Sequence, residues 1–256
     1  MAAAIILFSM GMQQPVSSLL IAEDGSLVAY RTAELGAVNR KRPSQFIFGK
    51  WTRARQLPDP LIPEMLDSRP QNNMPVSAKE RLPEAALAEA RKLMRGATSG
   101  VFSCQAKAWC TLMSPEGVLV VVVDDGRYAG AACDVAGLVI APRARFDECR
   151  SGVPMLNGLS LRKTGLIEID FSGSARSQDW QVTTAMVDKV QPWNTHRQYD
   201  WRRNIYDLHL PAWIAAQRSY GRPDNMPVAE DEEGRDNSSV SPTDVGDHYG
   251  VSDSGE

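Results

Sequence analysis

The sequence has little of what most hydrolytic and metal-dependent enzymes rely on. It carries three histidines in 256 residues: His196, His209 and His248. Two-metal hydrolases gather several histidine and aspartate ligands, often as His-x-His-x-Asp-His after a strand. No such cluster occurs here, and the pairs His196/Asp200 and Asp207/His209 are isolated. The sequence has no G-x-S-x-G elbow to expose a nucleophilic serine. It also has no P-loop or G-x-G-x-x-G to cradle a phosphate, and no CxxC knuckle for a zinc ribbon. The small-residue stretch Ser172–Arg176 reads as an ordinary loop. No cofactor is expected, and no small-molecule substrate is evident.

Long apolar runs are also scarce. Ala2–Met12 (AAAIILFSMGM) is apolar, but so short a helix, at ~1.5 Å per residue, cannot cross a hydrocarbon core of roughly 30 Å. It lacks the basic n-region of a secretory signal and a convincing A-x-A cleavage site. It reads as a core element, or as the last turns of a membrane helix that begins outside this chain. No other stretch is long enough to span a membrane.

What remains is the composition of a soluble globular protein, 43% hydrophobic and 23% charged, with enough chain to bury a real core. The net charge of −3 hides an uneven distribution. Residues 221–256 hold ten acidic residues and two arginines, a net of −8, which leaves about +5 for the first 220. A mildly basic body is compatible with a polyanionic partner without demanding one. The acidic tail, rich in Pro, Asp, Glu, Ser and Gly, reads as disordered.

The chain is organised around Gly117–Cys149. Val118–Val123 and Gly137–Ala141 are continuous apolar runs bounded by turn residues, the pattern of strands covered on both faces. A polar loop is expected between them. Strand ends of this kind display the chemistry in many α/β enzymes, but here the second strand runs into Pro142-Arg143-Ala144-Arg145.

Elsewhere, Leu19–Tyr30 predicts a hairpin about Asp24-Gly25. Residues 31–45 read as polar and turn-like, and Lys50–Gln56 as the start of a helix with Trp51 facing inward. Six prolines between Pro58 and Pro83 predict a long loop over residues 57–83. Pro83 and Gly96 bracket a helix over Ala85–Met94, with Leu87, Ala90, Leu93 and Met94 at helical spacing. Val101–Met113 pairs with Val118–Val123 across Ser114-Pro115-Glu116-Gly117. Leu159–Phe171 alternates about Thr164-Gly165 and predicts another hairpin. Val182, Thr184, Met186 and Val190 mark a further strand. The whole reads as α+β, a β-rich sandwich in which sheet is covered by helix and by another sheet, with one domain over 14–220.

Three groups are candidates for function. Asp124-Asp125, at a strand end, could bind metal, or could serve the turn before Gly126 through side-chain to backbone hydrogen bonds. Trp193, Arg197, Trp201, Arg202 and Arg203, with His196 and Tyr199, interleave aromatic and basic residues. Aromatic faces stack bases while arginines meet phosphates; the alternative is tryptophans packed on the sheet with arginines in water. Arg143, Arg145 and Arg150 add charge at the strand end. The four cysteines, Cys104, Cys110, Cys133 and Cys149, are inert buried thiols or two disulfides with three possible connectivities.

In order and spacing these pieces resemble the C-terminal soluble region of ComEC-type competence proteins, membrane proteins of DNA internalisation in natural transformation. The similar segments are Leu19–Tyr30, Phe48-Gly49-Lys50-Trp51, Phe102-Ser103-Cys104 with Cys110, Gly117–Val123, Cys133-Asp134, Gly137–Ala141, Cys149, Leu159–Gly165 and Gln191-Pro192-Trp193. Each is short; together they run from about Leu19 to Trp201. The resemblance implies a metallo-β-lactamase-like fold. In that family the second strand leads into His-His-Gly-Ser, where this chain has Ala141-Pro142-Arg143-Ala144. No metal ligand or catalytic residue carries over, so the resemblance implies a degenerate, non-catalytic domain. It also implies single-stranded DNA and the membrane channel part of the competence protein as partners. The location implied is the inner (plasma) membrane, with the soluble part in the periplasm. There Cys104–Cys110 and Cys133–Cys149 would pair. Two alternatives stand beside it: a metal-dependent nuclease or phosphodiesterase of the metallo-β-lactamase type, and a truncated product without independent function.

Overall fold

A computed structural model describes residues 18–55, 57, 59–66, 80–186, 192–200, 203–207 and 209–220, with side chains left out at 193 and 217–220. The chain divides into two units, Met1–Gly221 and Arg222–Glu256, and the described residues belong to the first. Ala2–Met12, Val190, Trp201, Arg202, His248 and the acidic tail lie outside them.

Two sheets carry the fold. The first is antiparallel. It contains β1 (Ser18–Ile21), β2 (Val28–Arg31) and β3 (Gly36–Val38), joined by β10 (Ile167–Asp170) and β11 (Gln181–Thr184) in the order β11-β10-β1-β2-β3. The second is mixed and runs in sequence order: β4 (Glu64–Met65), β5 (Ser103–Gln105), β6 (Trp109–Met113), β7 (Leu119–Val123), β8 (Leu138–Ala141) and β9 (Met155–Asn157). In it β7, β8 and β9 are parallel, and β6 is antiparallel to both neighbours. A two-stranded pair, β12 (Tyr199–Asp200) and β13 (Ile205–Tyr206), stands apart. The helices are α1 (Gln45–Arg55), α2 (Glu84–Arg95), α3 (Ala129–Cys133), α4 (Gly158–Thr164), α5 (Thr195–Gln198) and α6 (Ala212–Tyr220).

Period-two alternation sorts the strand residues into layers. Leu19, Ile21, Val28, Tyr30, Ile167 and Ile169 face Leu112, Val120, Val122, Leu138 and Ile140 between the sheets. On the outer side of the first sheet, Leu20, Ala29 and Val38 lie under Trp51 of α1. On the outer side of the second, Trp109, Val121, Val123 and Val139 lie under Ala90 and Met94 of α2 and Ala129 and Ala132 of α3. The layers therefore run helix, sheet, sheet, helix. β7 is covered on both faces, which is why Leu119–Val123 is apolar without alternation. Each such side chain taken out of water contributes roughly 1.5–3 kcal/mol before entropy is counted.

The α+β class and several elements agree with the sequence: the β1–β2 hairpin, the β6–β7 turn at Ser114–Gly117, and α2 between Pro83 and Gly96. Five expectations need correction. Val101–Met113 is not one strand: it folds into β5 and β6, paired antiparallel, and only β6 pairs with β7. The link between β7 and β8 is not a polar loop; it holds a 3-10 turn and α3, so the unit is a parallel strand–helix–strand crossover. Leu159–Phe171 is not a hairpin but α4 followed by β10. Asn157 and Ser160 form a reciprocal capping box that starts the helix, the Ser160 amide bonding Asn157 Oδ1 at 2.8 Å,. Residues 31–45 are not wholly turn-like, because β3 lies within them. The proline-rich stretch contributes β4 and a parallel bridge from Leu61 to Ala37.

Candidate functional site

β7, β8 and β9 end on one side of the sheet, where open parallel sheets place their ligands. The chain after β8 supplies Pro142–Arg145 and the chain after β9 supplies Gly158. With Asp200 and Arg203 of the β12–β13 pair they line an open cleft of about 650 Å³. Four arginines border it, Arg143, Arg145, Arg162 and Arg203, against two carboxylates, Asp147 and Asp200.

The loop after β8 is held from several sides. Gly126 and Gly158 approach it so closely that no side chain fits at either: a Cβ on Gly126 would overlap the Arg143 carbonyl, and one on Gly158 would lie 2.5 Å from the Pro142 oxygen. The loop's far end is tied by the Cys133–Cys149 disulfide to the end of α3, with Cα atoms 5.5 Å apart. Asn157 Nδ2 donates to Asp147 Oδ1 at 2.6 Å. Arg143 and Arg145 therefore project from a braced loop.

Arg162, on α4, donates to the carbonyls of His196 at 2.5 Å and Tyr199 at 2.9 Å. Both acceptors are uncharged, so its positive charge is not cancelled. Arg143 donates to the Asp124 carbonyl at 3.4 Å and forms no ion pair within 4 Å among the described residues. Arg145 is exposed and makes no ion pair or hydrogen bond within the described residues. Arg203 lies 3.7 Å from Asp200. Four arginines against two carboxylates leave the cleft net positive, with Arg143 and Arg145 exposed and Arg203 shared with Asp200.

Asp124 and Asp125 do not face this cleft as a free pair. Asp124 is bonded at two points by Arg40. Asp125 caps the 3-10 turn, accepting from the Arg127 amide at 3.1 Å and from its Nη2 at 2.6 Å. Burial pushes the Asp125 carboxyl up, but the Arg127 hydrogen bonds outweigh it and hold it below its usual range,. The turn role is the observed one. Asp207 accepts from Lys163 at 2.8 Å and lies 2.9 Å from His209 Nδ1. Among the described residues no three His, Cys, Asp or Glu side chains converge as metal ligands.

Of the residues proposed from sequence for nucleic-acid contact, the structure brings Arg143, Arg145 and Arg203 together at one cleft. Arg197 is turned elsewhere, to an ion pair with Glu23. Trp193 sits in a 3-10 turn, Pro192–Asn194, with its side chain undescribed; Trp201 and Arg202 lie outside the described residues. Arg162, Asn157 and Gly158 were missed. The signal that could have found them is Asn157-x-x-Ser160, a helix-start pattern hidden under the apparent alternation of Leu159 and Leu161.

Cys104 and Cys110 are bonded as directly opposed residues of β5 and β6, with Cα atoms 4.0 Å apart. Both cysteine pairings are those the resemblance implied. No helix among the described residues is long and apolar enough to cross a membrane. No protein-family model, curated protein or solved structure matches the chain.

Proposed function

We propose that this chain is a non-catalytic domain of a DNA-uptake system, of the ComEC competence type, and that its strand-end cleft binds the phosphate backbone of single-stranded DNA. The observation that carries the reading is the cleft itself. Where a hydrolase of the metallo-β-lactamase type would gather histidines, Arg143, Arg145, Arg162 and Arg203 stand around an open groove. Two sheets face to face with helices outside are the layering expected of a degenerate metallo-β-lactamase-like domain. The ordered sequence resemblance supports the same family. Two disulfides suit an oxidising compartment such as the periplasm, and the channel part of a competence protein is the partner this reading implies.

The test is fluorescence anisotropy of a labelled oligo-dT with the full chain at two salt concentrations. If four arginines meet phosphates, a fourfold rise in salt weakens binding roughly 50-fold. Arg143→Ala with Arg145→Ala is expected to flatten that salt dependence by about half. A folded chain that shows no binding at low salt overturns the reading, as does binding that the double variant leaves untouched.

A further inference from the structure

We infer that α1 and the turn leading into it form a docking face for an anionic lipid surface, separate from the arginine cleft and independent of the DNA reading. Residues 35–57 contain six basic residues, Arg40, Lys41, Arg42, Lys50, Arg53 and Arg55, and no acidic one. Two of the six are used inside the protein: Arg40 bonds Asp124 and Arg55 bonds Glu168. Lys41, Arg42, Lys50 and Arg53 are exposed, and none of them forms an ion pair among the described residues.

The helix is apolar on the side that meets the first sheet, where Ile47, Phe48 and Trp51 pack on Leu20, Ala29 and Val38. Phe46 breaks that sorting. It is 72% exposed, the most exposed large apolar side chain described. Phe46, Lys50 and Arg53 fall at i, i+4 and i+7, one face of the helix. The Lys50 ammonium stands 4.2 Å from the Phe46 ring centroid. An exposed aromatic ring among cations on the outward face of α1 can enter the headgroup layer while the cations meet lipid phosphates.

The apolar segment Ala2–Met12, close in sequence to β1, is compatible with a membrane as the occupant. Ala2–Met12 precedes Ser18 by a link that spans at most about 20 Å fully extended. Ser18 opens β1 and lines a groove together with Arg31, Arg53 and Arg55. If a membrane takes up Ala2–Met12, it lies within reach of Ser18 and so of the groove beside the C-terminal end of α1.

Flotation of the full chain with neutral phosphatidylcholine vesicles and with vesicles containing phosphatidylglycerol tests this. Two variants accompany it: Lys41→Glu/Arg42→Glu/Lys50→Glu/Arg53→Glu, and Phe46→Ser alone, all at exposed positions. The expected result is preferential binding to the anionic vesicles, weakened by salt. The charge-reversed variant should lose it roughly tenfold or more, and Phe46→Ser should lose part of it. Binding to neutral vesicles should be equal in wild type and the charge-reversed variant. Equal binding of wild type and charge-reversed variant to anionic vesicles would overturn the inference. So would loss of oligo-dT binding in that variant with vesicle binding intact, which would assign the helix to nucleic acid instead. Loss at the arginine cleft alone, through Arg143→Ala/Arg145→Ala, should leave flotation unchanged.

Discussion

Arg40 and Asp124 make a two-point bond between the two sheets: Arg40 Nη2 lies 2.6 Å from Asp124 Oδ1, and Nη1 lies 2.9 Å from Oδ2. Arg40 follows β3 of the first sheet and Asp124 follows β7, near the middle of the second. The forked geometry is the strong form of a charged pair, and the two side chains are only 36% and 19% exposed. Asp124→Asn is expected to lower unfolding stability by about 1 to 2 kcal/mol. Urea titration of Arg40→Ala, Asp124→Ala and the double variant measures the coupling. Strict additivity would mean that the pair holds nothing.

Lys163 and Asp207 make a second, drier pair, with side chains 5% and 12% exposed. The Lys163 hydrogen bond, with those from His209, holds the Asp207 carboxyl well below its usual range. The unfolded chain then binds a proton near pH 4 that the folded chain refuses. This contribution is complete above that pH and is lost as the pH falls toward the folded value. Asp207→Asn should cost on the order of 2 kcal/mol at neutral pH. The difference from wild type should shrink steadily from pH 5 to pH 2, as read by chemical denaturation across that range. A gap that is constant with pH would show that the pair does not govern the acid response.

The disulfides should contribute unequally. Cys133–Cys149 spans 16 residues of sequence and Cys104–Cys110 spans 6. In the chain-entropy model these correspond to about 3 and about 2 kcal/mol. Replacing Cys133 and Cys149 with alanine should also loosen the loop that carries Arg143 and Arg145, and so weaken oligo-dT binding. Replacing Cys104 and Cys110 should cost stability alone. Thermal melts and anisotropy on the two paired variants separate the effects.

Gly158→Ala would set a methyl group 2.5 Å from the Pro142 carbonyl oxygen. Either the loop after β8 shifts or α4 moves away, at about 1–3 kcal/mol. A melting temperature within error of wild type would mean that the loop yields freely.

Much of the architecture was legible because its chemistry is local. β7 and β8 are buried on both faces, so their runs are continuous, and α2 is punctuated by Pro83 and Gly96. Short elements left no period to read. α3 is Ala-Gly-Ala-Ala-Cys and β3 is Gly-Ala-Val, each less than two turns or repeats long. α4 misled because Leu159 and Leu161 alternate like a strand, while only Leu161 enters the core. At the cleft, Arg143 and Arg145 followed from their place at a strand end. Arg162 did not, since what brings it there is the fold of α4 against the carbonyls of His196 and Tyr199.

The segment from Leu61 to Met65 has a further consequence. Leu61 pairs with Ala37 of β3, and Glu64–Met65 pairs with β5. One short piece of chain thus lies along the borders of both sheets on the same flank. At the opposite border of the second sheet, Trp213 Nε1 donates to the Met155 carbonyl of β9 at 3.2 Å. An open strand border is a template on which another molecule can polymerise. Here the six-stranded sheet ends in a two-residue strand on one side and under an indole on the other, which guards a valine-rich interior against fibrous self-association.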